Sequence, residues 1–491
     1  MIRNSYGTPL PVMISVRVAL SAVCLMLYVS VSFGATPPRT VAEQTAWEEK
    51  YDIQDIRHDP TIKTDQSTRF LEVPDYYSDI RDFDIAKTPP IIDFAVVTCL
   101  EPEYLPWGTA KDSGGAWGGW GDVSKGPDGC FYFSLSNHQK YGAESYILRY
   151  DPETKTQEIV LSAKDLCGWG PDDFGDGKIH GDIDFSPEGN TYVFTYFGPV
   201  PKQREWDTVY RGSHLLHYNC FTGDVEDLGI PLEGDSWPYH NYDWRRNLAF
   251  AVGHSGNIVI YDTARRSMIY GGVPPDGIGW YRRCILMDSD TGAIYTTDEN
   301  SKDKQFICYT RRNNTFTRMN AHVPVNPNTG KVGDCRAHSE RRNRDGAYWC
   351  FDFYGTIFTF NPDTDKTEYV TENWGREGYY TANLAMSPGG RYLYYIPGVA
   401  YQYGEGVPIV QYDTVTNRKK VLAFIHDYYL ETYGYSPIRP YGIELDEKGE
   451  SLFFYVNGGF AGDEISNGWM HVQDRRPGIY HIHIPASERE E

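Results

Sequence analysis

Short runs of alternating apolar and polar residues recur along the chain and end at turns that contain Gly or Pro. The stretch DGKIHGDIDFSPEGNTYVF, which starts at Asp176, has two such runs joined by Ser-Pro-Glu-Gly. Alternation with a period of two predicts β-strands that bury one face, and a short turn between two runs predicts a hairpin. The pattern therefore predicts a chain built from antiparallel strands.

Units of this kind recur seven times, for example HGDIDFSPEGNTYVFTYFG and ANLAMSPGGRYLYYIPG. Each unit continues into two further runs, as in GNIVIYDTARRSMIY, where an aromatic residue precedes an Asp/Asn turn and a charged strand. Four strands repeated about every 45 to 60 residues are typical of propeller blades. We expect an all-β fold, a seven-bladed β-propeller with four-stranded blades spanning residues 91–486.

The regions outside the repeats predict three further segments. An apolar run at 18–33 lies behind Arg17 and ends at small residues, which indicates a signal peptide over 1–34, with an uncleaved anchor left open. We expect residues 35–90 to form an extended arm on the outside of the propeller and residues 487–491 to form a C-terminal tail. The IIDFAVV run from Ile91 predicts a strand that helps to close the ring. We expect a secreted or periplasmic protein without a membrane span after signal removal, and a monomer.

Charge and cysteine content restrict the function classes. The net charge is -21 and no block of Lys and Arg occurs, which argues against a nucleic-acid partner. Of nine cysteines, Cys24 leaves with the signal peptide, and the remaining even number permits disulfides in an oxidising compartment. The expected pairs are Cys335 with Cys350 and Cys284 with Cys308, and buried free thiols are the alternative.

Blade geometry predicts which polar residues meet. In antiparallel blades the start of the innermost strand and the end of the second strand share one face of the disc. The residues at these positions are rich in His, Arg and Tyr: Trp120, Asn137, His138, His180, Tyr239, His240, His254, Arg282, Arg283, Asn300, Arg336, His338, Tyr380, Arg439 and Tyr441. One such histidine would be unremarkable, but several at equivalent positions predict a functional site at one mouth of the central channel.

These residue types suit an acidic carbohydrate. Arginine forks match carboxylate or sulfate, histidine acts as a base near neutral pH, and tyrosine can protonate a leaving oxygen. Trp117 and Trp120 offer platforms for sugar faces. Together these are the groups needed for β-elimination on a polysaccharide that contains uronic acid.

In architecture and residue types the chain resembles the seven-bladed propeller polysaccharide lyases of the ulvan lyase and oligogalacturonate lyase types. The resemblance implies a secreted lyase acting on an anionic polysaccharide or oligosaccharide, with His and Tyr transferring protons and Arg neutralising the carboxylate. By position, the implied catalytic residues are the histidines His138 and His180, the tyrosine Tyr239 or Tyr242, and the cation Arg282 or Arg283. The implied substrate-binding residues are Trp117, Trp120, Asn137, His240, His254, Arg283, Arg336, Tyr380, Arg439 and Tyr441.

Other functions remain open. His180, His240 and His338 come from different blades, and if they converge on the axis they would hold a divalent metal such as Zn²⁺, Mn²⁺, Fe²⁺ or Ca²⁺. A propeller that binds a carbohydrate or protein without catalysis would use the same face. Hydrolysis of the lactonase type is disfavoured because few carboxylates occupy the strand starts. Asp182 and Asp184 lie further along a strand, where we expect bonds to neighbouring backbone.

Overall fold

Seven antiparallel sheets of four core strands follow one another along the chain and form a seven-bladed propeller. The computed structural model describes residues 46, 49–57, 59–77, 82–97, 118–198, 200–374, 380–398, 407–460, 465–466, 469–470 and 476–489. The seven sheets confirm the predicted fold class, an all-β seven-bladed propeller. The predicted signal peptide and Trp117 lie outside the described residues.

Each of the first six blades is a meander of four strands that are consecutive in the sequence. From inner to outer, the strands of blades one to three are Val123–Lys125, Phe131–Ser136, Ser145–Asp151 and Thr156–Ser162; Lys178–Ile179, Asn190–Tyr196, Leu215–Asn219 and Val225–Asp227; and Tyr239–Asp243, Leu248–Val252, Ile258–Asp262 and Ser267–Gly272. Those of blades four to six are Leu286–Met287, Ile294–Thr297, Gln305–Thr310 and Thr315–His322; Cys335–His338, Tyr348–Asp352, Thr356–Asn361 and Lys366–Glu372; and Leu384–Met386, Tyr392–Tyr395, Pro408–Asp413 and Arg418–Phe424.

The seventh blade combines both ends of the propeller. Its three inner strands are Pro440–Leu445, Ser451–Phe460 and Arg476–His483. Strand Ile91–Val96 pairs antiparallel with Arg476–His483 as the fourth strand, which confirms the expected ring-closing role of this segment. Lys63–Asp65 adds a fifth strand beyond it.

The remaining elements are short. Asp84–Ile85 pairs in parallel with the outer strand of the sixth blade, and Tyr435–Ser436 pairs with Ser451–Phe460. Ile465–Ser466 pairs with Trp469–Met470. The described residues include the helices Ala163–Cys167, Gln203–Thr208 and His426–Tyr433 and the 3₁₀ turns Thr68–Leu71, Asp75–Tyr77, Pro275–Gly277 and Ala486–Glu488. None of the helices within the described residues has the length and apolar character needed to cross a membrane.

Tight turns join the inner strand of a blade to its second strand. Gly129 and Gly189 close the turns in the first and second blades, both with φ of 84°. This left-handed conformation favours glycine, which explains the Pro-Asp-Gly and Pro-Glu-Gly signals in the sequence. The second strand then returns to the face on which the inner strand began.

Aromatic contacts between neighbouring blades form much of the core. Phe131 of the first blade stacks on Phe453 of the seventh with ring centroids 4.7 Å apart, and Phe306 of the fourth blade stacks on Phe360 of the fifth at 4.0 Å. Such pairs bury large apolar areas between sheets. The apolar core therefore lies between the blades, which leaves the axis to polar side chains.

All seven described cysteines are free thiols, so the expected disulfides among them are not formed. Strand register explains the correction: Cys335 lies opposite Asp352, whereas Cys350 lies opposite His338. In the fourth blade, Cys308 is on the third strand and pairs with the second strand. The second strand therefore lies between Cys308 and the segment that contains Cys284.

Candidate functional site

The inner strands converge on a small cavity at the face where they begin. Its volume is about 10 Å³, and it is lined by Trp120, Gly121, Asp122, His180, Tyr239, Arg336, Ala382, Asn383 and Tyr441. Five of these lining residues, Trp120, His180, Tyr239, Arg336 and Tyr441, are predicted site residues. The sequence repeat therefore places side chains from separate blades around one mouth of the channel.

His180 is locked in one tautomer at this mouth. Its Nε2 lies 2.7 Å from Nη1 of Arg283, and a guanidinium can only donate, so Nε2 accepts and Nδ1 bears the proton. His180 is 1% exposed, and its Nδ1 has no hydrogen-bond partner among the described residues. Burial and the charges of Arg283, Lys178 and Arg336 lower the pKa of His180 well below its ordinary value. The ring is therefore a neutral donor, and its acceptor nitrogen is already used.

Lys178 is a site residue that the sequence reasoning missed. Its Nζ lies 4.7 Å from the ring centroid of Trp120 and 5.4 Å from that of Tyr196. Burial, together with the charge of Arg283, lowers the pKa of Lys178 to about 7. Residues two positions apart in a strand project from the same face. The position of Lys178 two residues before His180 could therefore have identified it as a site residue from the sequence.

Arg283 and Arg336 form a cluster of positively charged side chains with Lys178. Arg336 is 4% exposed and donates to the hydroxyl of Tyr380 and to the carbonyl oxygens of Arg283 and Ala382, each carbonyl at 3.0 Å. Within the described part of the chain, neither arginine nor Lys178 forms an ion pair with a carboxylate. Burying unpaired charge is costly, so this cluster is suited to an incoming anion.

Arg282, one of the two arginines expected to meet the carboxylate, is already paired. Its Nε lies 3.1 Å from Oε1 of Glu299, and its Nη1 donates to the carbonyl oxygen of His254 at 2.5 Å. The neighbouring Arg283 has no such carboxylate among the described residues. The geometry therefore favours Arg283 over Arg282 as the group that meets an anionic ligand.

Two predicted histidines lie on the rim of the mouth. The ring of His138 lies 5.2 Å from that of Trp120, and burial with the charge of Lys178 lowers its pKa to about 4. The ring of His254 packs 4.9 Å from that of Phe197, and burial lowers its pKa. Both rings are therefore neutral at neutral pH.

Other predicted residues shape loops. Asn137 donates to the carbonyl oxygen of Gly142 and accepts from two backbone amides, and Asn300 donates to the carbonyl oxygen of Gly277. Arg439 has a left-handed φ of 51°, and its carbonyl oxygen accepts from the amide of Asn457. These interactions give the side chains of Asn137 and Asn300 and the backbone of Arg439 a structural role in their loops.

The three histidines predicted to bind a metal do not form a triad. His240 follows Tyr239, and strand alternation directs its ring between blades, where it lies 5.7 Å from the ring of Phe194. His338 has Nδ1 3.0 Å from the carbonyl oxygen of Ser339 and Nε2 2.9 Å from that of Ile285. Within the described residues, the side-chain triads at ligand distance lie elsewhere.

The two tyrosines predicted to be catalytic, Tyr239 and Tyr242, contact the aspartates of the channel wall. Tyr239 donates its hydroxyl proton to Oδ1 of Asp182 at 2.8 Å, and Asn241 also donates to this carboxylate. Tyr242 packs its ring 4.8 Å from that of Tyr192, and its amide donates to Oδ2 of Asp184 at 3.2 Å. The expected bonds to neighbouring backbone do not account for either aspartate alone, because Asn241 also donates to Oδ2 of Asp184, at 3.5 Å.

Below the cationic mouth, the channel is acidic. A cavity of about 320 Å³ has among its lining residues the carboxylates Asp122, Asp182, Asp184, Glu340 and Glu444. Burial and mutual repulsion raise all five pKa values, that of Asp122 to about 7 and that of Glu340 to about 6. The sequence analysis considered Asp182 and Asp184, but it missed Asp122, Glu340 and Glu444. The repeated Gly-Asp at 121–122 and 181–182 was the signal for Asp122.

No protein-family model matches the sequence, and no curated protein matches it. Among solved structures, the "Structure of U3-55K" has a TM-score of 0.46 and 10% identity, covering 80% of this chain and 98% of that one. The "Crystal structure of RRP9 WD40 repeats" has a TM-score of 0.47 and 9% identity, covering 83% of this chain and 100% of that one. We draw nothing about function from likenesses at this level.

Proposed function

We propose that the channel mouth binds the carboxylate or sulfate group of an acidic saccharide. One observation supports this proposal above the others: Lys178, Arg283 and Arg336 are gathered at the mouth without a carboxylate partner among the described residues. An anion placed there would give these buried charges the counter-ion that the described residues do not provide.

The dimensions of the mouth suggest how the ligand would sit. The cavity of about 10 Å³ is close to the space that one water needs, so it suits a single ligand oxygen. The remainder of the saccharide would then lie on the rim, where Trp120 and His138 present their rings. Hydrogen bonds between charged groups contribute roughly 1.5–3 kcal/mol each.

A second candidate function, β-elimination by a polysaccharide lyase, is favoured by the pKa of Lys178. A base with a pKa of about 7 is well placed to abstract a proton at neutral pH. In this reaction Lys178 would take the proton from C5 of a uronate, the C4–O bond would break, and the leaving oxygen would receive that proton from the Lys178 ammonium, which restores the base. The products are an unsaturated uronate and a shortened chain with a free hydroxyl.

The two candidates differ in their product. The test adds uronate-containing, sulfated and neutral polysaccharides to the purified protein and records both the melting temperature and the absorbance of unsaturated uronate. Stabilisation by acidic chains without new absorbance supports a binding propeller, and absorbance that grows with time supports the lyase. If neutral and acidic chains behave alike, the proposal fails.

A further inference from the structure

A second group of polar side chains lies far from the channel, in the outer part of the seventh blade where the ring closes. Asp93 on strand Ile91–Val96 lies directly opposite His481 on strand Arg476–His483. His483 is two residues further along the same strand and therefore projects from the same face. The sequence analysis overlooked this His481-Ile482-His483 pair because it considered only histidines near the channel mouth.

The three side chains are close enough to share one ion. Nε2 of His483 lies 3.1 Å from Oδ2 of Asp93, and Nδ1 of His481 lies 4.0 Å from the same oxygen. One ligating atom from each residue lies within 4.8 Å of the other two. Atoms bound to one zinc ion at ordinary distances lie roughly 3 Å apart, so Asp93 and His483 are already at ligand spacing, and His481 lies about 1 Å further from Asp93 than that spacing.

His481 gives an independent indication of a ligand. It is 5% exposed, and neither of its ring nitrogens has a hydrogen-bond partner among the described residues. The rings of Phe131 and Tyr150 lie 5.5 and 5.9 Å away and enclose it on the side of the first blade. A buried polar nitrogen without a partner is unfavourable, and a metal bond would satisfy the one that faces Asp93.

The other contacts of Asp93 orient its carboxylate. Thr64 and Lys155 both donate to Oδ1, at 2.5 and 2.7 Å, which leaves Oδ2 facing the two imidazoles. Outer contacts of this kind fix the direction of a metal-binding carboxylate. The side chain of His483 is 44% exposed, so an ion has a route from solvent and water can complete its coordination.

We propose that Asp93, His481 and His483 form a binding site for a divalent transition-metal ion, with Zn²⁺ as the best match. Two imidazoles and one carboxylate suit such ions, whereas Ca²⁺ and Mg²⁺ prefer oxygen ligands. The ligands come from the N-terminal strand and the last strand of the ring. The ion therefore fastens the closure of the propeller and stabilises the folded state.

The test uses the full chain, stripped with a chelator and then titrated with Zn²⁺ or Co²⁺ alone. We expect Zn²⁺ to raise the melting temperature by a few degrees, and Co²⁺ to give visible absorption bands of a nitrogen and oxygen site. His483→Ala should weaken binding by more than roughly 100-fold. Because the Co²⁺ spectrum is read on the unaltered protein, it tests the site even if this variant folds poorly.

Two matched variants serve as controls. His322→Ala alters a partly exposed histidine that lies 3.1 Å from Asp303 and belongs to no triad, and it should keep the metal response. His214→Ala removes the other triad, which contains Cys167 and Asp227, and this variant should keep the metal response too.

The proposal is overturned if stripped protein shows no metal response, if His483→Ala responds as the unaltered protein does, or if His214→Ala abolishes the response.

Discussion

Arg283 donates a hydrogen bond from Nη1 to Nε2 of His180 across 2.7 Å, joining the fourth blade to the second at the channel mouth. The bond consumes the acceptor nitrogen of the histidine and turns one guanidinium towards the axis. A histidine expected to act as a base is therefore held as a neutral donor. Two nearby groups have a pKa of about 7, the Lys178 ammonium and the Asp122 carboxyl, and of these Lys178 is the one that carries a positive charge when protonated.

Adjacent arginines give a direct comparison of paired and unpaired charge. Arg283→Met should weaken binding of an acidic saccharide by about 10-fold or more, since it removes a charged hydrogen-bond donor without a carboxylate partner. Arg282→Met should change affinity by less than about 3-fold, because Glu299 already pairs with that guanidinium. Isothermal titration calorimetry on both variants measures this, and equal losses would contradict the assignment.

Lys178 should make binding depend on pH. Burial and Arg283 lower its pKa to about 7, so the free protein loses this positive charge as the pH rises through neutrality. An anion binds the protonated form better, and affinity should therefore fall between about pH 6 and pH 8. In Lys178→Met the affinity should be lower and should fall less over this range, with the remaining fall due to Asp122, which lines the same mouth and also has a pKa of about 7. A pH dependence that persists undiminished in this variant would assign the effect to another group.

The acidic channel predicts a different pH effect, on stability. Burial raises the pKa of Asp122 from 3.8 to about 7, so between these values the folded state keeps a proton that the unfolded state has lost. Stability attributable to this group therefore falls as the pH rises from about 4 to about 7, and it is not recovered above that range.

Asp122→Asn removes the ionisation and keeps the shape. Its melting temperature should exceed that of the unaltered protein by at least about 2 °C at pH 8, and the difference should vanish near pH 4. Asp290→Asn, at a side chain that is 85% exposed, is the control and should have no effect. A variant that is less stable at pH 8 would show that the charged form of Asp122 is favourable.

Gly181 sets the spacing between the second and third blades. A Cβ at this position would lie 2.4 Å from Nδ1 of His240, closer than packed atoms can approach. Gly181→Ala should destabilise the fold by roughly 1–3 kcal/mol, measured by chemical denaturation. Gly170→Ala, whose Cβ would meet only the Asp173 side chain at 3.2 Å, should have a smaller effect. Equal effects would contradict the packing argument.

The propeller was predictable because each blade repeats local signals. Alternating strands recur in every unit and glycine turns such as the one at Gly129 recur in most of them, and the run from Ile91 is apolar enough to be identified as a closing strand. The cysteine pairs were not predictable, because strand register decides which side chains face each other. Register places Cys350 opposite His338 rather than Cys335.

The sequence predicts where the candidate site lies, but not which chemical role each of its residues has. The repeat correctly groups His180 and Arg336 at one mouth. Charge pairing depends on contacts between blades, and the sequence does not show that Glu299 reaches Arg282 while Arg283 reaches His180. The closeness of His483 to Asp93 likewise depends on strands from opposite ends of the chain.

The measurement that tests the central claim most directly compares one oligosaccharide in two charge states. A uronate oligomer and its fully methyl-esterified form have nearly the same shape, but only the first carries carboxylates. Calorimetric titration of both into the protein at pH 6 should show binding of the acid that is at least about 10-fold tighter, and Arg283→Met should remove most of this preference. Equal affinity for the two oligomers, or a preference that survives in Arg283→Met, would contradict an anion-binding site at the channel mouth.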